Sequence, residues 1–128
     1  MPHVIVEYSS NLEDSMDVGE LLDALHQGVI DTGLADTAAI RTRAFRAEHY
    51  RIADRNPKNG YVQITVRMRE GRPQQALQML AESLLAAAEQ SLERAFAAHP
   101  IGLALEVHEI NQLTVRRNTI RLSSDKAA

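Results

Sequence analysis

Residues 61–68, YVQITVRM, carry the clearest secondary-structure signal in the chain. Apolar side chains alternate with polar ones along this stretch, which is the pattern of a β-strand with one buried face. A turn at residues 71–73 follows, and we expect Pro73 to take the first position of a helix that runs to about Ala98. Residues 103–110 are then predicted to form a further strand.

The first part of the chain has the same order of strand, helix and strand. Residues 2–8 form an apolar, β-branched run that is typical of a buried strand, and residues 38–45 are predicted to form a second strand. Between them, apolar residues recur at helical spacing, with Asp17 as the expected N-cap and Gly33 as the expected C-cap. The pseudo-repeats therefore cover residues 2–45 and 61–110, and residues 111–128 form a polar tail.

Two such units predict a single α/β (α+β) domain over residues 1–128. Each connection is long enough for a parallel crossover, which is nearly always right-handed. Side by side, the two β-α-β units give a four-stranded mixed sheet with two helices on one face. The other face is left uncovered, which favours oligomerisation through it. A trimer that packs three sheets into a central barrel fits this expectation, but the composition does not fix the number three.

The composition is that of an ordinary globular protein. The 128 residues carry a net charge of -3, which argues against a general nucleic-acid binder. No cysteine is present, so disulfide scaffolds and thiolate metal sites are excluded. The chain has no apolar run long enough for a membrane span, and its first residues do not resemble a secretory signal. We therefore expect a cytoplasmic protein.

Motifs that would hold a metal or a cofactor are missing from the sequence. No GxGxxG or Walker-type loop would hold a nucleotide, and no GxSxG elbow supports serine hydrolase chemistry. The histidines lack ligand spacing such as HxxxH, and no cysteine supports them; they are His3, His26, His49, His99 and His108. We predict chemistry without a metal or a cofactor.

Pro2 is the most informative position for chemistry. Removal of Met1 would leave Pro2 with a secondary amine at the start of a buried strand. An α-amino group ordinarily has a pKa of about 7.7–8.0, and burial lowers the pKa because it disfavours the charged form. A rigid amine that is neutral near pH 7 is a good general base. The alternatives are a Met-Pro start without chemical meaning, or a retained Met1, which makes the Pro2 nitrogen a non-basic amide.

Several segments resemble the 5-carboxymethyl-2-hydroxymuconate isomerases of the tautomerase superfamily. They are PHVIVEYS at residues 2–9, AAIRTRAF at 38–45, and EHYRIADRNPKNGYVQITVRM at 48–68 with Gly71 and Arg72 after it. The stretch QITVRMREGR at residues 63–72 is also similar to the start of the 4-oxalocrotonate tautomerases. This resemblance implies a homotrimer with its active site near a subunit boundary, and a role in the breakdown of aromatic acids.

The resemblance also implies roles for individual residues. The catalytic base corresponds to Pro2, and the arginines that bind the substrate correspond to Arg41 and Arg72. Arg43, two residues beyond Arg41, points to the same side of the sheet and is a further substrate-binding candidate, with a structural ion pair as its alternative. All but two of the 14 basic residues are arginine, whose planar fork of donors fits a carboxylate. The implied reaction moves a proton along a conjugated 2-hydroxy or 2-oxo dicarboxylate.

Three other interpretations remain open at the level of sequence. The first is a tautomerase for a different enol acid, such as phenylpyruvate or oxalocrotonate, on the same scaffold. The second is a non-enzymatic trimeric module that keeps Met1 and binds a small acid. The third is a ferredoxin-like domain that binds nucleic acid, which the acidic net charge and the 4% aromatic content disfavour.

Overall fold

The computed structural model describes residues 1–123. Its strands are β1 (His3–Ser9), β2 (Arg41–Ala47), β3 (Gly60–Arg69) and β4 (Ile101–Ile110). They form one sheet in the order β2-β1-β3-β4, in which β1 pairs with β2 in parallel, β3 pairs with β4 in parallel, and β1 and β3 are antiparallel. The predicted four-stranded mixed sheet is confirmed.

The helices connect the parallel strands within each half. They are α1 (Val18–Thr32) between β1 and β2, and α2 (Gln74–Ser91) with α3 (Glu93–Ala98) between β3 and β4. The Asp17 side chain accepts a hydrogen bond from the Glu20 backbone N–H at 3.0 Å, and Gly33 ends α1 with a φ of 67°. Both predicted caps of α1 are confirmed.

The core lies between one face of the sheet and the two long helices. Alternate residues of β1 and β3 face the helices, so that Val6 and Ile64, which are paired in the sheet, are both fully buried. The helices also contact each other, and Gly28 of α1 permits this approach because a Cβ at that position would lie 2.6 Å from Leu84 Cδ2 of α2. Both helices therefore lie on one face, as the sequence predicts.

The predicted start of the second strand is wrong. Ala38 and Ala39 belong to a short 3-10 helix, Thr37–Ala39, and β2 begins only at Arg41. The cause is local, since the Asp36 side chain accepts a hydrogen bond from the Ala38 N–H at 3.2 Å and turns the chain. The first strand is also shifted by one residue relative to its prediction over residues 2–8.

The second helix also differs from its prediction. Pro73 precedes the first helical turn, because its ψ of 143° is extended and helical geometry begins at Gln74. The helix is interrupted at Leu92, with φ and ψ of -95° and 10°, so that α2 and α3 replace one continuous helix. Leu92 and Ala95 are buried at this bend, where α3 packs on the 3-10 helix Ser10–Ser15.

The face of the sheet opposite the helices is polar. The Tyr61 hydroxyl donates a hydrogen bond to the Glu7 carboxylate, and Gln63 Nε2 donates to Glu106 Oε1 at 3.2 Å. Neither long helix covers this face, in agreement with the sequence-based expectation. Among the helices of residues 1–123, none combines the length and the apolar composition needed to cross a bilayer.

Gly60 begins β3 at a point where the chain packs tightly on a buried side chain. A Cβ on Gly60 would lie 2.5 Å from Leu12 Cδ2 and 2.9 Å from Leu12 Cγ. We expect Gly60→Ala to lower the free energy of unfolding by about 1–3 kcal/mol, because the fully buried Leu12 must move. Urea denaturation measures the loss. The control is Gly102→Ala in β4, where an added Cβ meets nothing within 4 Å, and equal losses in the two variants would contradict the prediction.

Candidate active site

The chain terminus lies at the start of the inner strand β1. Pro2 is buried, and its carbonyl accepts a hydrogen bond from the Arg41 backbone N–H at 3.0 Å. The α-amino group of Met1 donates to the Ala39 carbonyl at 2.7 Å. The 3-10 helix Thr37–Ala39 presents this carbonyl to the terminus, and the ends of β1 and β2 therefore fix the first two residues.

The surroundings of the terminus disfavour a positive charge. Burial is the largest cause that lowers the pKa of the Met1 α-amino group below its ordinary value, and the positive charges of Arg116, Arg41 and Arg69 lower it further. Asp36 acts in the opposite direction. The Pro2 nitrogen is one residue away, within about 3.6 Å along the chain, so the same charges act on it.

A cavity of about 260 Å³ lies beside the terminus. Its walls include Met1, Arg69, Glu70 and Ile110 together with residues that follow β4. A second cavity of about 370 Å³ lies among residues 48–57, at the end of the sheet opposite to Met1. Only the first cavity brings a titratable amine and a guanidinium group together.

Arg41 lies next to the terminus, as the pairing of β1 with β2 requires. It is paired with His3 in the sheet, and its Nη1 donates to the Ala38 carbonyl at 2.9 Å and to the Ile40 carbonyl at 3.2 Å. Arg43 lies further along β2, where its Nη1 is 2.9 Å from His3 Nδ1. Burial, followed by the positive charge of Arg43, lowers the pKa of His3. Arg43 therefore contacts an imidazole and not the carboxylate of an ion pair.

The Arg72 side chain hydrogen-bonds to two parts of the backbone, the segment that follows α1 and the end of β3. Its Nε donates to the Leu34 carbonyl at 2.9 Å, its Nη2 donates to the same carbonyl, and its Nη1 donates to the Arg69 carbonyl at 2.9 Å. Arg72 does not line the cavity, but it holds the backbone of Arg69, which does. Substrate binding by Arg41, Arg43 and Arg72 stays a prediction.

Arg69 and Arg116 were not singled out from the sequence as site residues. The antiparallel register pairs His3 with Arg67, and its continuation by two residues brings Arg69 opposite Met1. The position of Arg69 near the terminus therefore follows from the strand register, but only once the pairing of β1 with β3 is known. Arg116 belongs to the polar tail, where no periodic pattern predicts its position.

No three His, Asp or Glu side chains in residues 1–123 come together in a way that could hold a metal ion. The groups at the terminus are an amine, several guanidinium ions and the carboxylates of Asp36 and Glu70. The amine suits proton transfer, and the guanidinium ions suit the binding of an anion.

Comparison with known proteins assigns the family. The sequence model of the 5-carboxymethyl-2-hydroxymuconate isomerase family matches residues 2–123. The chain is 25% identical over 121 residues to the 5-carboxymethyl-2-hydroxymuconate Delta-isomerase of Escherichia coli, covering 94% of this chain and 96% of that protein.

Solved structures agree with this assignment. The crystal structure of a 5-carboxymethyl-2-hydroxymuconate isomerase from Deinococcus radiodurans R1 has a TM-score of 0.87 at 26% identity, covering 92% of this chain and 90% of that one. A fused 4-OT wild-type symmetric trimer has a TM-score of 0.64 at 12% identity, covering 91% and 95%, and shows the fold alone. The chain therefore belongs to the 5-carboxymethyl-2-hydroxymuconate isomerase family and is an isomerase.

Proposed function

We propose that the chain is a cofactor-independent isomerase that moves a proton along a conjugated 2-hydroxy or 2-oxo dicarboxylate, with 5-carboxymethyl-2-hydroxymuconate as its substrate. The amine of Pro2, freed by removal of Met1, is the catalytic base. One observation carries this proposal: Pro2 is buried at the start of β1, and the positive charges around the adjacent Met1 amine disfavour its protonation. Membership of the isomerase family supports the reaction class.

The proton transfer needs only the chain's own groups. The neutral Pro2 amine takes the proton of the 2-hydroxyl group, and electrons shift along the diene as the C2 carbonyl forms. The resulting ammonium group returns the proton to C5, the far end of the conjugated system, which leaves one double bond between C3 and C4. No atom is gained or lost. A base whose pKa lies near the working pH is best suited to both steps.

The arginines would bind the substrate's carboxylates and stabilise the negative charge that develops on the 2-oxo oxygen. Loss of one donor to such an oxygen typically costs about 2.7–4 kcal/mol of activation free energy. Arg41 lies next to the terminus and is the first candidate. Arg72 has five N–H donors and uses three of them on carbonyls, which leaves one on each terminal nitrogen for a carboxylate. Arg43 is the third candidate, further along β2.

The proposal includes a homotrimer. The two long helices leave the polar face of the sheet open to a neighbouring subunit, and a solved structure of the same fold is a symmetric trimer. Half-buried side chains on this face, Ile5 and Thr65 among them, would be buried by a neighbouring subunit. A cytoplasmic location and a role in the breakdown of aromatic acids stay predictions.

A second candidate is a binding module that keeps Met1. The Met1 amine has a partner in the Ala39 carbonyl at 2.7 Å, which favours this alternative. The Pro2 nitrogen is then an amide without basicity, while the arginines around the cavity still attract a small acid.

The two candidate functions differ in the first residue of the mature protein, which is Pro2 in the isomerase and Met1 in the binding module. We expect protein whose intact mass lacks Met1 to isomerise 5-carboxymethyl-2-hydroxymuconate, and otherwise identical protein that keeps Met1 to be inactive. For the processed protein, kcat/KM should rise with pH as the amine loses its proton, with a midpoint below the ordinary pKa of an α-amine, about 7.7–8.0. A flat profile between about pH 5 and 9, or equal activity of both forms, would contradict the role of Pro2.

Arg72 is expected to act on both activity and stability. Arg72→Ala should lower kcat/KM at least about tenfold, which is about 1.4 kcal/mol of transition-state stabilisation. It should also lower the free energy of unfolding by about 1–3 kcal/mol without unfolding the protein, because the Leu34 and Arg69 carbonyls lose their donors. Steady-state kinetics and urea denaturation measure the two effects. The control is Arg51→Ala at an exposed position between β2 and β3, at the end of the sheet opposite to Met1, and unchanged kinetics of Arg72→Ala would remove Arg72 from the site.

A further inference from the structure

The segment that follows β4 returns to the chain terminus. Asn118 Nδ2 donates to the Ala38 carbonyl at 3.0 Å, across 80 residues of sequence. The same carbonyl accepts the hydrogen bond from Arg41 Nη1 at 2.9 Å. We call this segment, residues 111–122, the C-terminal tail. The Ala38 carbonyl therefore links the C-terminal tail to Arg41, a candidate arginine of the site.

Asn118 is suited to fix the tail at this point. It is half-buried, whereas residues 111–117 are exposed. Its Oδ1 accepts a hydrogen bond from the Ile120 N–H at 3.0 Å, so both ends of the amide are in use. Asn111 forms a similar turn at the start of the tail, with its Oδ1 accepting from the Leu113 N–H at 2.9 Å. The tail is thus joined to the sheet where it follows β4, turns at Asn111, and is tied back to the segment just before β2 by Asn118.

The tail also forms one wall of the cavity beside the terminus. Asn111, Gln112 and Thr114 line it together with Met1 and Arg69. Arg116 lies two residues before Asn118 in the segment that these contacts hold. Among the charged groups that lower the pKa of the terminal amine, Arg116 has the largest effect, ahead of Arg41 and Arg69, while Asp36 raises the pKa.

The arginines near the terminus differ in the donors that they have available. Arg41 and Arg72 donate to main-chain carbonyls. Arg69 and Arg116 are exposed, and neither guanidinium group donates a hydrogen bond within residues 1–123. A substrate carboxylate can therefore bind Arg69, which lines the cavity, or Arg116, two residues beyond the lining residue Thr114, without displacing an existing hydrogen bond of either guanidinium group.

The chemistry of the proposed substrate requires an additional anion site near the base. A hydroxymuconate has two carboxylates, and the carboxymethyl arm adds a third on C5. The amine must reach C5 to return the proton, and C5 carries both the C6 carboxylate and the arm, so two carboxylates lie near the amine at that step. A guanidinium group beside the terminus is well placed to bind the carboxylate of the arm.

We propose that the C-terminal tail completes the active site: Asn118 holds the tail against Ala38, and Arg116, together with Arg69, binds the carboxylate of the carboxymethyl arm. This inference rests on the proposed function for the identity of its ligand. Arg116 is a substrate-binding residue, and Asn118 is a positioning residue that acts through it. The tail therefore determines specificity between substrates with and without the arm.

The test compares two substrates, 5-carboxymethyl-2-hydroxymuconate and 2-hydroxymuconate, and two neighbouring arginines. Arg116→Ala should raise KM for the first substrate about tenfold, which corresponds to about 1.4 kcal/mol of binding, and change KM for the second by less than about twofold. Arg117→Ala removes the same charge from the adjacent exposed position and should leave both KM values unchanged. An equal effect of the two variants, or an equal loss for both substrates, would overturn the proposal.

The positioning role of Asn118 is tested by the selectivity of KM and by the pH profile, which a purely structural role would not change. Asn118→Ala should reproduce the selective rise in KM, since the tail no longer holds Arg116 in place. Both Asn118→Ala and Arg116→Ala should shift the ascending limb of the pH profile to higher pH, because removing a positive charge raises the pKa of the amine. Arg116→Lys keeps the positive charge, so the ascending limb of its pH profile should lie near that of the wild-type protein. Loss of stability in Asn118→Ala without a selective change in KM or pH would overturn the positioning role.

A binding measurement separates this inference from the proposed function. If processed protein turns over neither substrate, the proposed function fails, and calorimetry with propane-1,2,3-tricarboxylate and glutarate still tests the tail. Wild-type protein and Arg117→Ala should bind the tricarboxylate more tightly, and Arg116→Ala should lose this preference. The same preference in Arg116→Ala would overturn the assignment of Arg116, whatever the activity.

Discussion

The position of β1 between β2 and β3 is the constraint on which the rest of the site depends. An inner strand is hydrogen-bonded on both sides, so its first residues cannot move independently of the sheet. The Pro2 carbonyl accepts the Arg41 N–H, and the residue before Pro2 reaches the Ala39 carbonyl. A group at this end of the chain is rigid and partly removed from water, which a basic amine needs in order to stay neutral.

The arginines around the terminus divide into two sets with different physical roles. Arg41 and Arg72 donate to main-chain carbonyls and thereby fix the connections that surround the site. Arg69 and Arg116 are exposed, and each places a positive charge near the amine. Because the Arg72 guanidinium donates to the Arg69 carbonyl, Arg72 helps to position Arg69. The positive charges lower the pKa of the amine at this terminus, and the same charges attract an anion.

The regular parts of the fold could be predicted from the sequence, because each depends on local chemistry. The alternation along β3 and the caps at Asp17 and Gly33 are examples. The prediction failed where one side chain redirected the backbone, as Asp36 does before β2. Pro2 followed from its place in the sequence. Arg69 required the strand register, and Arg116 required the path of a tail that has no periodic pattern.

The proposed catalysis needs an N-terminal nitrogen that is free and uncharged at working pH. A direct measurement is a titration of the ¹⁵N resonance of Pro2 in protein purified from its own cells. We expect a secondary amine whose pKa lies below that of an ordinary α-amine, about 7.7–8.0, so that the neutral form predominates at the upper end of the physiological range. A resonance typical of an amide, or an amine whose pKa is at or above that value, would contradict this expectation.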